Sequence, residues 1–214
     1  MNPGIDFVLV VLVLTNLLLL GSSRLRVYIR VVGFQGWVLA FLPLLVRAEE
    51  FSWHRPLLAL ATVAFKGVVF PWLLHKAMVE SNVRREVEPW LGQLASLLLG
   101  TGLLTLSLWL GSRLPLPTPA LSPLVVPVAL STMLIGLFVL ITRSNAITEV
   151  VGYIVLENGI YTFGLALMGR EPMLVELGVL LDVFVAVLVM GVTIFQIRRE
   201  FDDLDTNRLA SLHD

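Results

Sequence analysis

The sequence predicts an all-α polytopic membrane protein with seven transmembrane helices, its N-terminus outside and its C-terminus in the cytoplasm. Three observations carry this prediction. Of 214 residues, 57% are apolar and only 14% charged, and the mean hydropathy of +0.89 lies far above that of a soluble domain. Apolar runs of roughly 20 residues, enough to cross a ~30 Å hydrocarbon core at 1.5 Å per residue, recur along the chain. The short joins between those runs divide the basic residues unevenly.

The first run, 4–23, has full spanning length and lacks a basic leader region and an A-x-A site. It reads as a first helix, not a cleaved signal. The next runs are 27–46, 56–76, 90–111, 122–142, 146–168 and 172–197, separated by SSRLR, RAEEFSWHR, ESNVRREVEP, SRLPLPTPALSP, TRSN and GREP. Such charged, Pro-rich and Gly-rich joins mark membrane boundaries. The layout divides into a four-helix region over 1–115, a three-helix region over 116–197 and a tail over 198–214. The tail segment EFDDLDTNRLASLHD is polar and mildly acidic, suited to a solvated end or to docking on a soluble partner.

With seven spans the joins alternate sides. One side collects Arg24, Arg26, Arg30, Lys76, Arg84, Arg85, Arg143, Arg198, Arg199 and Arg208; the other holds only Arg47, Arg55, Arg113 and Arg170. The positive-inside rule puts the richer set, and the C-terminus with it, in the cytoplasm. Trp53, Trp72, Trp90 and Trp109 fall near span ends, where indoles favour the interface, and Trp37 is the exception.

Several chemistries are excluded. Cysteine is absent, and His54, His75 and His213 are scattered, so no disulfide, thiolate centre or metal site is expected. No catalytic residue and no cofactor is expected in this chain. Nothing is left over for a soluble catalytic domain, and with a net charge of −1 the partner expected is a lipid bilayer, not nucleic acid.

The informative residues are ionisable groups at membrane depth. Lys66, in ATVAFKGVVFPWLLHK, lies ten residues past Pro56, or about 15 Å into the third helix. Glu157, in GYIVLENGIY, is midway along the sixth helix, and Asp182 is at similar depth in the seventh. A lone charge at a helix centre costs ~2.5–3.5 kcal/mol on insertion scales, so three at one depth are expected to face one another inside the bundle. Glu149, Tyr153, Glu157 and Tyr161 follow at i, i+4 spacing and share a stripe. Glu176 and Asp182, six residues apart, point about 240° away from each other. Pro71 leaves the carbonyl of Gly67 without its helical partner and predicts a kink beside Lys66.

Blander readings stand beside these. Glu149 and Glu176 can snorkel to the headgroups. Lys66, Glu157 and Asp182 can form a static network that fixes packing, and Tyr153 and Tyr161 can be packing aromatics. Gly152, Gly159 and Gly164, with Gly100 and Gly102 on the fourth helix, suit close helix contacts.

The stretch from Thr142 to Ile197, with the GY-x-x-x-ENG block at Glu157 and the VE-x-G-x-x-x-D block of Glu176 and Asp182, resembles component E of hydrogenase-4. That family comprises membrane subunits of formate hydrogenlyase-like, group 4 [NiFe] hydrogenase complexes, and the likeness is read over the whole chain. Helix three (AFKGVVFPWLLHKAM) resembles the family's lysine-bearing third helix. The last three spans are more distantly similar to the three-helix subunit of respiratory complex I (NuoK-type) and of Mrp antiporters (MrpC-type). The complex I glutamate aligns with Ile154, one turn before Glu157.

The resemblance implies a subunit of the cytoplasmic membrane of a bacterium or archaeon, placed between antiporter-like subunits and a quinone-subunit-like anchor. A peripheral [NiFe] hydrogenase with iron–sulfur centres, and a formate dehydrogenase where one is linked, would hold all redox cofactors. Lys66, Glu157 and Asp182, extended by Glu149, Glu176, Tyr153 and Tyr161, are then expected to relay protons or sodium ions. The alternatives are a structural subunit joining antiporter-like modules, a self-contained transporter, and the same role in a complex I-like oxidoreductase without hydrogenase.

Overall fold

The structure is a computed structural model that describes residues 3–45, 54–80, 91–114, 122–143, 145–167 and Gly191. Among these the regular elements are helices, with no strand. They are α1 (Pro3–Leu20), α2 (Leu25–Ala40), a short α3 (Leu42–Leu45), α4 (His54–Thr62), a π-helix (Val63–Val69), α5 (Phe70–Glu80), α6 (Gln93–Gly111), α7 (Val125–Thr142) and α8 (Ala146–Leu167). Among the described residues four stretches are long and apolar enough to cross a membrane: Pro3–Leu20, Leu25–Leu45, Gln93–Arg113 and Val125–Thr142. The chain is a membrane protein. The described helices overlap the first six apolar runs, while the seventh, with Glu176 and Asp182, and the tail with His213 lie outside the described residues.

Local chemistry sets the helix ends. α2 stops at Phe41, whose N–H donates to Val38 O at 3.2 Å, because Pro43 has no N–H to continue the ladder. Asn145 caps α8 by accepting the N–H of Ile147 at 2.9 Å, and Glu149 stands in the first turn, where a carboxylate suits the positive end of the helix dipole. Ser122 accepts the N–H of Leu124 ahead of α7 and donates to Asp6 of α1. Arg143 follows the last residue of α7, in the join where the sequence puts it, and is buried there.

The expected kink at Pro71 takes the form of a widened helix. Phe70 N–H bonds Phe65 O, five residues back, and the chain runs through the π-helix into α5 without a break. The proline ring is received by Gly33 of α2, where a Cβ would stand 2.8 Å from Pro71 Cγ. Gly33 of α2 thus leaves room for the proline ring just past the wide turn.

α1, α2, the α4–α5 stretch, α7 and α8 form the centre, and α6 lies at the edge with little of its surface covered. The core is layered. One apolar layer gathers Leu19, Tyr28, Val32, Phe70, Val139 and Val151 with their neighbours. The other gathers Ile5, Leu9, Leu12, Leu39, Val125 and Tyr161. Between them each central helix contributes polar side chains, all buried: Asn16, Gln35, Thr62, Lys66, Thr132, Glu157 and Asn158.

Candidate functional site: a buried Lys–Glu pair in a polar layer

The π-helix turns Lys66 inward. Gly36 of α2 lies on its backbone, so closely that a Cβ there would stand 2.5 Å from the Lys66 carbonyl carbon and 2.7 Å from Gly67 N. Trp37 lies over Gly67 on the same seam: a Cβ on Gly67 would stand 3.0 Å from the indole Nε1. This contact explains why one tryptophan sits at midspan, away from the interfaces. The GFQGW segment of α2, residues 33–37, thus cradles the lysine.

Across from it, α8 is held against α7 through glycines. A Cβ on Gly152 would stand 2.8 Å from Leu140 N, and one on Gly159 2.7 Å from Met133 N. Small residues let the backbones approach, as in many membrane helix pairs. Gly100 likewise meets Leu20 of α1, but Gly102 meets nothing within 4 Å among the described residues. None of these makes the close contact expected at Gly102, a position on the exposed side of α6.

Lys66 Nζ donates to Glu157 Oε1 at 2.5 Å and to Asn158 Oδ1 at 3.4 Å. The two charged side chains are 0% and 1% exposed, so their attraction acts in a low-dielectric setting and offsets the large penalty of burying either alone. The ammonium also lies 4.6 Å above the Tyr161 ring, within cation–π range. Thr62 Oγ1 and Tyr161 OH are 3.3 Å apart. The pair thus places a base and an acid side chain in direct contact inside the bundle.

From Asn158 the layer continues through amides. Asn158 Nδ2 donates to Gln35 Oε1 at 3.1 Å. Gln35 Nε2 donates to Asn16 Oδ1 at 2.8 Å and to Thr15 Oγ1 at 3.0 Å, and Asn16 Nδ2 donates to Thr132 Oγ1 at 2.9 Å. Five helical stretches are thereby tied at one height.

Of the residues singled out from sequence, the structure brings together Lys66, Glu157 and Tyr161. Tyr153 is half-buried against the apolar layer. Glu149 is exposed at the start of α8, eight residues or about 12 Å along the axis from Glu157. Asp182 and Glu176 lie outside the described residues. Among the described residues no cluster of three His, Cys, Asp or Glu could hold a metal ion. The sequence reading missed Asn16, Gln35, Thr132 and Asn158. Their signal was a polar side chain at a common depth in successive apolar runs.

No family model matches the chain, and no solved structure matches it. It is 36% identical over 103 residues to hydrogenase-4 component E of Escherichia coli K12, and equally to that of Shigella flexneri; the match covers 47% of this chain and 45% of those proteins. That span is narrower than the whole-chain likeness read from the motifs, and it relates the chain to a hydrogenase-4 membrane-subunit family. A relative from Mycobacterium tuberculosis, the uncharacterized protein Rv0085, is 34% identical over 211 residues, 98% of this chain and 96% of that protein. The helical membrane chain built around Lys66 and Glu157 therefore belongs to the family of Rv0085.

Proposed function

We propose that the chain is a membrane-arm subunit of a complex I-like, hydrogenase-4 or formate hydrogenlyase-type assembly, with the Lys66–Glu157 pair as one station of a proton or sodium relay. In this reading the chain spans the membrane seven times with its N-terminus outside, in the cytoplasmic membrane of a bacterium or archaeon. Antiporter-like subunits and a quinone-subunit-like anchor flank it, and [NiFe] and iron–sulfur centres belong to peripheral partners. Asp182 would be the next station, with Glu176 and Glu149 toward the two surfaces.

The observation that carries the reading is a buried acid and base in direct contact at mid-depth. Two unit charges several ångströms apart at an effective dielectric near 20 interact by roughly 2 kcal/mol, enough to bias protonation of a neighbour more than tenfold. A change of charge at an adjoining subunit can therefore redistribute the proton within the pair. The relatedness to hydrogenase-4 component E supports the partners.

A second reading is favoured by the hydrogen bonds themselves. Each buried amide of the layer is bonded to a neighbouring helix, which suits a static network that seals a junction between antiporter-like modules. Glu157→Gln separates the two, being nearly isosteric and permanently neutral. In the assembled complex, loss of ion translocation with assembly intact is expected. Full translocation would remove the relay, and loss of assembly would select the structural reading.

A further inference from the structure

The polar layer has a direction. An ammonium has only donors, so Asn158 must turn its carbonyl oxygen to Lys66 and its N–H to Gln35. Gln35 then receives at Oε1 and donates at Nε2, Asn16 receives at Oδ1 and donates at Nδ2, and Thr132 receives at Oγ1. The chain ends where Thr132 donates to the Val128 carbonyl of its own helix at 2.8 Å. Flipping any amide would set donor against donor, so the choice made at Lys66 fixes each link.

Two consequences follow from the chemistry. Aligned donors polarise one another, so the row strengthens the bond that the Asn158 oxygen accepts from Lys66. Carboxamides neither gain nor lose protons in water near neutrality, so a row of them orients a charge without conducting one. Thr15, which accepts the second Gln35 N–H, spends its hydroxyl on the carbonyls of Val11 and Leu12 and opens no exit. Lys66 also meets an ionisable carboxylate and the ring of Tyr161, whose hydroxyl lies 3.3 Å from Thr62 Oγ1.

We propose that Asn158, Gln35, Asn16 and Thr132 are positioning residues: a one-way, non-conducting chain that holds the Lys66 ammonium against Glu157 and confines its proton exchange to the carboxylate face. The holding role needs only the pair itself; the confining role rests on the relay reading.

The test uses the full chain in lipid vesicles with lysine labelled by nitrogen-15. The sequence contains two lysines, Lys66 and Lys76, and the exposed Lys76 serves as internal control in the NMR spectrum. Gln35→Leu keeps the bulk and removes the chain. Its Lys66 ammonium signal is expected to weaken and its hydrogen exchange to rise about tenfold, the effect of losing one buried bond, with Lys76 unchanged. Thr132→Val, nearly isosteric at the far end, is expected to shift Lys66 in the same sense by less, and decides alone if Gln35→Leu does not fold. A folded variant of either kind with Lys66 indistinguishable from the parent overturns the proposal. If Glu157→Gln leaves translocation intact while Gln35→Leu disturbs Lys66 as expected, the relay fails and the holding role stands; the converse result removes the chain's role alone.

Discussion

Two seams of this bundle use the same device for different ends. Between α7 and α8, Gly136, Gly152 and Gly159 bring two regular helices backbone to backbone. Between α2 and the α4–α5 stretch, Gly36 meets backbone while Gly33 and Gly67 receive the Pro71 and Trp37 rings, and one partner is a π-helix carrying a buried lysine. Close packing by small residues is common to both, so it cannot be what marks a site. The difference lies in what the contact holds: a uniform wall in one case, and in the other a widened turn with a charge fixed at its centre. The first seam sets where α8 presents Glu157, and the second sets where Lys66 meets it.

The largest test of that contrast removes the charges. Lys66→Met or Glu157→Leu leaves one charge buried alone, and each is expected to lower stability by about 3–5 kcal/mol. The double variant replaces an ion pair by an apolar contact of similar size. It is expected to return to within about 1–2 kcal/mol of the parent, the remainder reflecting the Asn158 oxygen that loses its donor. Unfolding of the full chain by steric trapping in bicelles measures all three. A double variant as unstable as the sum of the singles would show that the second seam holds packing, not a charge pair.

A smaller effect compares the seams directly. Gly36→Ala and Gly152→Ala both force a methyl onto backbone atoms, and each is expected to cost about 1–3 kcal/mol. They should differ in the coupling between positions 66 and 157 measured by a double-mutant cycle in each background. Gly36→Ala displaces the lysine's own carbonyl and should reduce the coupling by at least half, whereas Gly152→Ala, five residues before Glu157, should leave most of it. Equal losses would mean that the seams are one mechanical unit.

What the sequence disclosed follows the same division. Lys66 and Glu157 were legible because a lone charge at mid-depth is so costly that each demands a partner. Asn16, Gln35 and Asn158 were not, since an amide among leucines carries a smaller penalty and has no charge to draw attention. The π-helix was only half legible: Pro71 requires some break in the ladder, but that Gly33 and Gly36 lie against the widened turn is a fact of another helix. Trp37 looked misplaced until Gly67 was found beneath it. Arg143 lies in the join that follows an apolar run, as its position implies, but sequence position alone could not show that it is buried there.

The smallest expected effect lies on α6, where two glycines two residues apart meet different surroundings. A methyl at position 100 runs into the side chain of fully buried Leu20, which can swing aside. That strain of about 1 kcal/mol is expected to offset the gain in helix propensity of similar size, so Gly100→Ala should be close to neutral. Among the described residues Gly102 faces no neighbour, on the stripe of Leu94, Leu98, Leu106 and Trp109, all strongly exposed. Gly102→Ala meets no obstacle there and should stabilise the chain by about 0.5–1 kcal/mol. The same substitution in the assembled complex should leave assembly unchanged if that stripe faces lipid, because acyl chains accommodate a methyl where a close-packed helix does not. A fall in assembly would instead put a partner helix against Gly102 and make α6 a third glycine seam, formed between subunits instead of within one.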